Sequence, residues 1–289
     1  MTLLSVKNLN IEFGHPKWPM SVVRDVNLEV APGEVLGLVG ESGSGKSLTS
    51  RSIMRLIQYP GRMTVDELNF DGRDVLSMTT KELRQFRATD VGMVFQDPFS
   101  SLNPVFRVGA QIAETLRHNL GLSRSQARTE GTALLERVGI PRPDRHFQSY
   151  PHELSGGMRQ RVMIALATAS KPRLLLADEP TTALDVLTQK QILKLLAEMR
   201  RDLGMAMVLV SHDFGVIAQM CDRVAVMYEG TIVETGAVEQ IYDDPTHPYT
   251  KSLLASVPRL EWTSQSETAA AGRLNGNVGT ADTRQGGNP

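Results

Sequence analysis

Cysteine is almost absent from this chain of 289 residues, whose only thiol belongs to Cys221. A single cysteine excludes a disulfide framework and a cysteine-rich metal site within one chain. Net charge is also nearly absent, because 31 lysine and arginine residues face 32 aspartate and glutamate residues. A chain without a basic excess is a poor candidate for binding nucleic acid. These absences indicate a protein of a reducing compartment whose partners are not DNA or RNA.

Long apolar runs are missing as well. No run approaches the ~20 residues that a membrane-spanning helix needs, and Met1–Lys7 lacks the apolar core of a signal peptide. We therefore expect a protein that reaches a membrane only through a partner. The apolar share of 41% is enough for one large domain or two lobes. Beyond Trp262 large apolar residues nearly vanish, so residues 263–289 are predicted to form a disordered tail.

A phosphate-binding loop is the strongest motif that is present. The sequence G-E-S-G-S-G-K-S fits the pattern G-x-x-x-x-G-K-[ST] and lies between an apolar strand and a helical pattern. In such a loop Lys46 would reach the β- and γ-phosphates, and the Ser47 hydroxyl would bind Mg²⁺. The helix N-terminus adds a partial positive charge. The predicted nucleotide-binding residues of this segment are Gly40, Glu41, Ser42, Gly43, Ser44, Gly45, Lys46, Ser47 and Leu48.

A second motif is the apolar segment L-L-L-A-D-E-P, which starts at Leu174. A strand that ends in two acids is typical of a Walker B strand. Asp178 would then hold Mg²⁺, directly or through water, and Glu179 would act as general base toward the attacking water. The alternative is a buried strand that ends in two exposed acids by chance, and an intact phosphate loop in the same chain disfavours it.

A third motif, L-S-G-G-M-R-Q-R, starts at Leu154. Ser155 is predicted to cap a helix whose first residues, Gly156 and Gly157, expose N–H groups and so form a second anion site. This segment resembles the signature motif of ATP-binding cassette (ABC) ATPases, with Met158 in place of the more usual glutamine. Two anion sites for one ATP predict a head-to-tail dimer, in which each ATP lies between one loop and the partner's signature.

The resemblance to ABC ATPases implies roles for further residues. Gln96 matches the Q-loop, which senses Mg²⁺ and the water. Asp185 matches the D-loop at the dimer interface, and His212 matches the switch histidine that contacts the γ-phosphate. The adenine platform is an aromatic residue, and Phe13 and Trp18 both remain candidates, with core packing as the other role for Phe13. The catalytic set implied is Glu179, His212, Gln96 and Lys46, and the metal set is Ser47, Gln96 and Asp178.

The resemblance implies an α/β fold, the ABC type of P-loop nucleotide-binding domain. We expect a mostly parallel core sheet, an N-terminal antiparallel β subdomain and a helical insertion. Alternating strands over residues 3–13 and 22–30 and apolar helical spacing from about Val108 to Arg145 agree with it. The predicted domain spans residues 1–262, with a helical subdomain at about 97–160 and a family C-terminal segment at about 245–260.

Finer features are similar to the peptide/nickel importer subfamily, namely Phe95–Pro104, Tyr150–Glu153 and His247–Thr250. This resemblance implies a peripheral ATPase at the cytoplasmic face of the inner membrane. Its partners would be two permease subunits, a second ATPase (a paralogue or a second copy) and, indirectly, an extracytoplasmic solute-binding protein. Many peptide-type members carry a cysteine-rich extension for an iron–sulfur cluster, which a chain with only Cys221 cannot build.

The predicted function is therefore ATP hydrolysis that drives import of oligopeptides, dipeptides, nickel or similar small solutes. One alternative is a soluble ABC ATPase that is not coupled to transport, which predicts duplicated cassettes, long insertions or a basic face. The other is a regulatory ATP-binding module, which predicts a degenerate Glu179 or His212, whereas both residues are intact.

Overall fold

The computed structural model of the protein describes residues 1–15, 17–182 and 184–255. The predicted tail, 263–289, and the end of the predicted C-terminal segment lie outside the described residues. Within the described ranges, no helix combines the length and the apolar character needed to cross a membrane.

An antiparallel sheet forms the N-terminal part. Two long strands, β1 (Leu4–His15) and β2 (Trp18–Val30), pair along their whole length, from Leu4 opposite Val30 to His15 opposite Trp18. Three shorter strands extend the sheet: β4 (Arg62–Thr64), β5 (Glu67–Phe70) and β6 (Arg73–Asp74). The strand order is β2-β1-β5-β6, and β4 also pairs with β1. The alternating apolar residues of β1 and β2 point into the core, as their period of two predicts.

A six-stranded sheet forms the centre of the molecule. Its strands are β3 (Val35–Val39), β7 (Val91–Val94), β8 (Leu174–Asp178), β9 (Ala206–Ser211), β10 (Arg223–Tyr228) and β11 (Thr231–Ala237). The order is β11-β10-β3-β9-β8-β7, and only β11 runs antiparallel to its neighbour. β3, β7, β8 and β9 are buried at every residue, which explains their continuous apolar sequences.

Helices cover the faces and one end of this sheet. In chain order they are α1 (Lys46–Ile53), α2 (Thr80–Gln85), α3 (Pro98–Ser101), α4 (Val108–Leu120), α5 (Arg124–Arg137), α6 (Pro143–Phe147), α7 (Gly156–Thr168), α8 (Val186–Leu203), α9 (Phe214–Met220), α10 (Val238–Asp243) and α11 (Pro248–Ala255). A π-helical turn, Phe86–Asp90, follows α2, and a 3₁₀ turn, Pro151–Glu153, precedes α7. The α/β fold with a mostly parallel sheet is the predicted one.

The helical insertion lies between β7 and β8. α5 starts with a capping box in which Ser123 and Gln126 satisfy each other's backbone N–H groups. Phe147 of α6 packs so close to α4 that a Cβ at Gly109 would clash with its ring. The insertion is thus packed around one aromatic side chain that requires a glycine opposite it.

The central sheet separates two hydrophobic clusters, and β3 contributes to both. Leu36 and Leu38 face the cluster that includes the antiparallel sheet, whereas Val35 and Val39 face the cluster that includes the helical insertion. Packing on both faces fixes the end of β3, so the loop that follows it starts from a rigid position.

Candidate active site

The loop between β3 and α1 depends on glycine. Gly40, Gly43 and Gly45 all have positive φ angles, of 156°, 83° and 102°. A Cβ on Gly40 would clash with the carbonyl oxygen of Met227 in β10, and one on Gly45 would come within 2.8 Å of the Met227 Cε. The tight curve against β10 is therefore open only to glycine at these positions.

Lys46 lies inside the curve of this loop and is 4% exposed. Its ammonium group donates to the carbonyl oxygens of Gly40 and Glu41, at 2.7 and 2.6 Å, and to the Ser44 hydroxyl at 3.3 Å. Burial lowers the pKa of Lys46, while nearby carboxylates oppose that shift. The loop thus holds a buried positive charge where its backbone turns.

Ser47 and Asp178 join the loop to the end of β8. The Ser47 hydroxyl donates to Asp178 Oδ1 at 2.7 Å, and Arg51 Nη2 lies 3.5 Å from Asp178 Oδ2. Asp178 is fully buried, and its Oδ2 accepts no hydrogen bond from the described residues. Burial raises the pKa of Asp178. A hydroxyl beside a carboxylate with an unsatisfied oxygen is the oxygen-donor chemistry that a hard divalent cation prefers.

Glu179 is the centre of a second cluster. Its Oε2 accepts a hydrogen bond from Thr182 Oγ1 at 2.7 Å and from Gln96 Nε2 at 3.1 Å, and His212 Nδ1 lies 3.4 Å away. The side chain of Glu179 is 12% exposed, whereas that of His212 is 59% exposed. The structure therefore brings together three of the predicted catalytic residues, which come from the ends of β7, β8 and β9.

The backbone of Glu179 holds the carboxylate in this position. Glu179 has a left-handed φ of 46°, and its N–H donates to the carbonyl oxygen of Val210 in β9 at 3.0 Å. A non-glycine residue with positive φ is uncommon and is found where the surrounding structure imposes it. Sequence reasoning did not identify Thr182. Its position three residues after Glu179, across a turn, was the only sequence signal.

The signature segment lies against the start of α8. Ser155 caps α7 by accepting from the N–H of Met158 at 3.3 Å, and a Cβ on Gly157 would come within 2.8 Å of the Thr188 Cγ2. Asp185 caps α8 through the N–H and hydroxyl of Thr188, at 2.9 and 2.8 Å. Ser155, Gly156 and Gly157 make no hydrogen bond to the phosphate loop within the part of the chain that the structure describes.

The two candidates for the adenine platform have different surroundings. Phe13 is half-buried, packs on the antiparallel-sheet cluster and lies so close to Gly61 that a Cβ there would be 2.8 Å from its ring. Trp18 is 76% exposed at the end of the β1–β2 hairpin, with its ring centroid 5.6 Å from that of His15. Leu48, in α1, packs on the same cluster as Phe13.

A residue near the C-terminus also contacts the phosphate loop. The Glu41 N–H donates to the Tyr249 hydroxyl at 2.9 Å, although the two residues are 208 positions apart. Sequence reasoning quoted the segment His247–Thr250 as a subfamily feature but gave Tyr249 no part in the site.

Comparison with known proteins gives a consistent result. The family model "ABC transporter" matches residues 23–182, and the model "Oligopeptide/dipeptide transporter, C-terminal region" matches residues 233–286. The chain is 49% identical to the oligopeptide transport ATP-binding protein OppD of Bacillus subtilis (strain 168) over 269 residues, which is 93% of this chain and 75% of that protein. It is also 49% identical to the dipeptide transport ATP-binding protein DppD of Haemophilus influenzae over 260 residues, 90% of this chain and 79% of that protein.

A solved structure of similar fold is the dimeric post-hydrolysis state of the ATP-binding cassette MJ0796 bound to ADP and Pi. It has a TM-score of 0.72 and 27% sequence identity, and the match covers 81% of this chain and 98% of that one. The family model covers more than half of the chain, and the relatives are nearly half identical to it over almost its whole length. The chain therefore belongs to the ABC transporter ATPases, in the group with the oligopeptide/dipeptide transporter C-terminal region, and it binds and hydrolyses ATP.

Proposed function

We propose that this chain is the ATP-hydrolysing subunit of an importer for oligopeptides or dipeptides. The observation that carries the proposal is the cluster in which Gln96, Thr182 and His212 surround the carboxylate of Glu179, beside the phosphate loop. The substrate class comes from the relatives, which are named as oligopeptide and dipeptide transport ATP-binding proteins. Nickel remains part of the sequence-based prediction.

The loop residues Gly40 to Leu48 bind the phosphates of ATP in this proposal. Lys46 leaves the carbonyl oxygens that now hold it and pairs with the β- and γ-phosphates. Ser47, Asp178 and Gln96 would hold Mg²⁺, which would neutralise charge on the phosphate oxygens. Asp178 Oδ2 supports this assignment, because it accepts no hydrogen bond and Arg51 Nη2 stays 3.5 Å away, so a bound cation would reduce the cost of burying this oxygen. Phe13 is our choice for the adenine contact, with Trp18 as the competing candidate.

The chemical step needs a water molecule that is positioned and deprotonated. Glu179 accepts the proton of that water, Gln96 orients it, and His212 contacts the γ-phosphate. The hydrogen bonds from Thr182 and Gln96 hold the carboxylate where it is needed before the substrate arrives. Most of the acceleration of phosphoryl transfer comes from such positioning and from charge stabilisation.

A second ATPase chain completes the site. Gly156 and Gly157 form the first turn of α7 after the cap Ser155, and Gly157 lies against Thr188, which Asp185 caps. Two apolar side chains at the start of α8, Val186 and Leu187, are 68% and 73% exposed, which supports an interface at this edge. The related cassette MJ0796 has been solved as a dimer. The partner is a paralogous ATPase or a second copy of this chain.

The importer also requires membrane subunits. Val105 and Phe106, which follow the Q-loop segment and precede α4, are 70% and 54% exposed and suit contact with a permease. We place the chain at the cytoplasmic face of the inner membrane, bound to two permease subunits that receive solute from an extracytoplasmic binding protein. Closure of the ATPase dimer on ATP and its reopening after hydrolysis would drive these subunits.

The test of the hydrolytic site is Glu179→Gln. An amide cannot take the proton of the attacking water, so ATP turnover should fall by about 10²- to 10⁴-fold. ATP binding should persist, because the loop is unchanged. Glu239→Gln, which alters an exposed carboxylate of α10, serves as the matched control and should hydrolyse ATP like the wild type. Near-normal turnover in Glu179→Gln would remove this residue from the mechanism.

The import half of the proposal is tested in the reconstituted transporter. Addition of a binding protein loaded with a dipeptide or oligopeptide should stimulate ATP hydrolysis by the complex. Wild-type turnover without any permease association would favour the soluble ATPase, and ATP binding without turnover would favour the regulatory module.

A further inference from the structure

Helix α11 contacts the phosphate loop through Tyr249. The Tyr249 hydroxyl accepts the Glu41 N–H at 2.9 Å, and its ring packs on Tyr228 of β10 with the centroids 4.2 Å apart. Burial raises the pKa of Tyr249, so the hydroxyl stays neutral at physiological pH. The contact therefore joins a packed aromatic ring to the first turn of the loop.

The backbone carbonyl oxygen and the backbone N–H of Glu41 both form hydrogen bonds. Its carbonyl oxygen accepts from Lys46 Nζ at 2.6 Å, and its N–H donates to Tyr249. The other side of the loop is held by β10–β11, because the Gly230 N–H donates to the Ser44 carbonyl oxygen at 3.1 Å. When Lys46 turns toward phosphate, Glu41 keeps the hydrogen bond that its carbonyl oxygen accepts from the Ser44 N–H at 3.2 Å, within the loop, and the bond that its N–H donates to Tyr249, outside the loop. The bond to Tyr249 then keeps the start of the loop in its present curve.

A carboxylate of the central sheet anchors the start of α11. Glu234 of β11 accepts from the N–H and hydroxyl of Thr246, at 2.7 and 2.8 Å, and from the His247 N–H at 3.1 Å. His247 Nδ1 in turn accepts the Tyr249 N–H at 3.2 Å. Tyr249 thus occupies a position fixed by hydrogen bonds that lead back to the sheet.

We propose that Tyr249 is a positioning residue for ATP binding, through which the helix anchored by Glu234 holds the phosphate loop ready for nucleotide. This inference rests on the proposed role of the loop. It gives the C-terminal region that matches residues 233–286 a direct part in nucleotide affinity. Coupling between two sites is reciprocal, so bound nucleotide also strengthens the docking of α11.

The first test is Tyr249→Phe in the full chain, with Tyr228→Phe as the matched control. Both variants lose one phenolic hydroxyl from the same aromatic pair, but only Tyr249→Phe loses the bond to the loop. Loss of one neutral hydrogen bond predicts an ATP Kd and KM raised by about threefold to tenfold. The kcat and the unfolding temperature without nucleotide should stay near wild type. Equal ATP affinity in both variants would overturn the inference.

The second test asks whether Glu234 acts through Tyr249. Glu234→Gln weakens the anchor and should also raise the ATP KM. In the variant that carries both Tyr249→Phe and Glu234→Gln, the fold increase in the ATP KM should be smaller than the product of the two single fold increases. Multiplicative effects would mean that the two residues act independently and would contradict the anchor. Hydrogen exchange supplies a third readout: a non-hydrolysable ATP analogue should raise protection in residues 248–255 of the wild type and less so in Tyr249→Phe.

Lys46→Ala distinguishes failure of the role proposed for Tyr249 from failure of the function proposed for the phosphate loop. If Lys46→Ala abolishes nucleotide binding but Tyr249→Phe leaves it intact, the phosphate loop stands and the role of Tyr249 falls. If Lys46→Ala leaves binding intact, the proposed loop function itself fails.

Discussion

Asp178 is a residue at which function and stability oppose each other. It is fully buried, accepts a hydrogen bond from the Ser47 hydroxyl and has the cations Arg51 and Lys46 nearby. Burial raises its pKa, so the folded chain without a metal favours the neutral carboxyl more than the unfolded chain does. A charge at this position therefore destabilises the empty fold above the ordinary pKa of an aspartate. The proposed cation would compensate for that charge.

Asp178→Asn should reveal this opposition. The amide keeps an acceptor for Ser47 and removes the buried charge, so the unfolding temperature at neutral pH should rise by about 2–4 °C, the size expected for about 1 kcal/mol in a chain of this length. Mg²⁺-dependent ATP hydrolysis should be lost. Calorimetry and a turnover assay check the two outcomes.

Asp185→Asn is the control, because the pKa of Asp185 is shifted in the opposite direction from that of Asp178. Hydrogen bonds from the Thr188 N–H and hydroxyl lower the pKa of Asp185, so the fold favours the charged form there. The same substitution should therefore leave the unfolding temperature unchanged or lower it. A fall in the unfolding temperature of Asp178→Asn would contradict the account of its burial.

At the scale of secondary-structure elements, the docking of α11 depends on Glu234. Burial acts to raise the pKa of this carboxyl, but hydrogen bonds from hydroxyl and backbone N–H groups outweigh it and lower the pKa from its ordinary value of 4.5 to about 2. A group with a depressed folded pKa stabilises the fold above its unfolded pKa, and this contribution is lost as pH falls through the folded pKa. The anchor is thus complete at neutral pH and weakens between about pH 4.5 and 2.

The stability difference between wild type and Glu234→Gln should follow that window. Above pH 4.5 the wild type should be the more stable protein, because only it carries the hydrogen-bonded carboxylate. As pH falls toward 2 the difference should shrink, since the carboxyl becomes protonated. Urea unfolding of the two proteins in parallel across this range checks the trend. A difference that is constant with pH would show that the charge of Glu234 contributes nothing.

Elements set by local pattern could be predicted from the sequence, and those set by distant contacts could not. The strand, glycine loop and helix around Lys46 were visible because their residues are consecutive. The helical insertion was visible from its apolar spacing. The two-residue strand β6 and the π-helical turn Phe86–Asp90 leave no such pattern.

The same distinction applies to the candidate site. The ends of β7, β8 and β9 meet because parallel strands bring their carboxyl ends to one edge, which makes Gln96, Glu179 and His212 neighbours. Thr182 and Tyr249 could not be predicted in this way, because each is linked to the site by a hydrogen bond that only the structure shows. The bond of Tyr249 spans 208 residues, and no spacing rule predicts it.

At the scale of the whole molecule, we propose that one ATP site requires two chains. The described chain carries the phosphate loop, which Ser47 joins to Asp178, and the base Glu179 next to Asp178 in sequence. The signature turn lies against α8, without a hydrogen bond to the loop among the described residues. Both parts are N-termini of helices suited to bind phosphate. A head-to-tail pair of chains would bring one loop to the other signature.

Complementation between two inactive variants tests this claim most directly. Ser155→Arg fills the signature turn but leaves its own loop intact, so it should bind ATP like the wild type and fail to hydrolyse it. Lys46→Ala has the reverse defect. Once light scattering has established an ATP-dependent dimer of the wild-type chain, an equal mixture should recover up to about a quarter of wild-type turnover, because half of the dimers are mixed and each has one intact site. Loss of ATP binding by monomeric Ser155→Arg, or a mixture no more active than its separate components, would contradict assembly of the site from two chains.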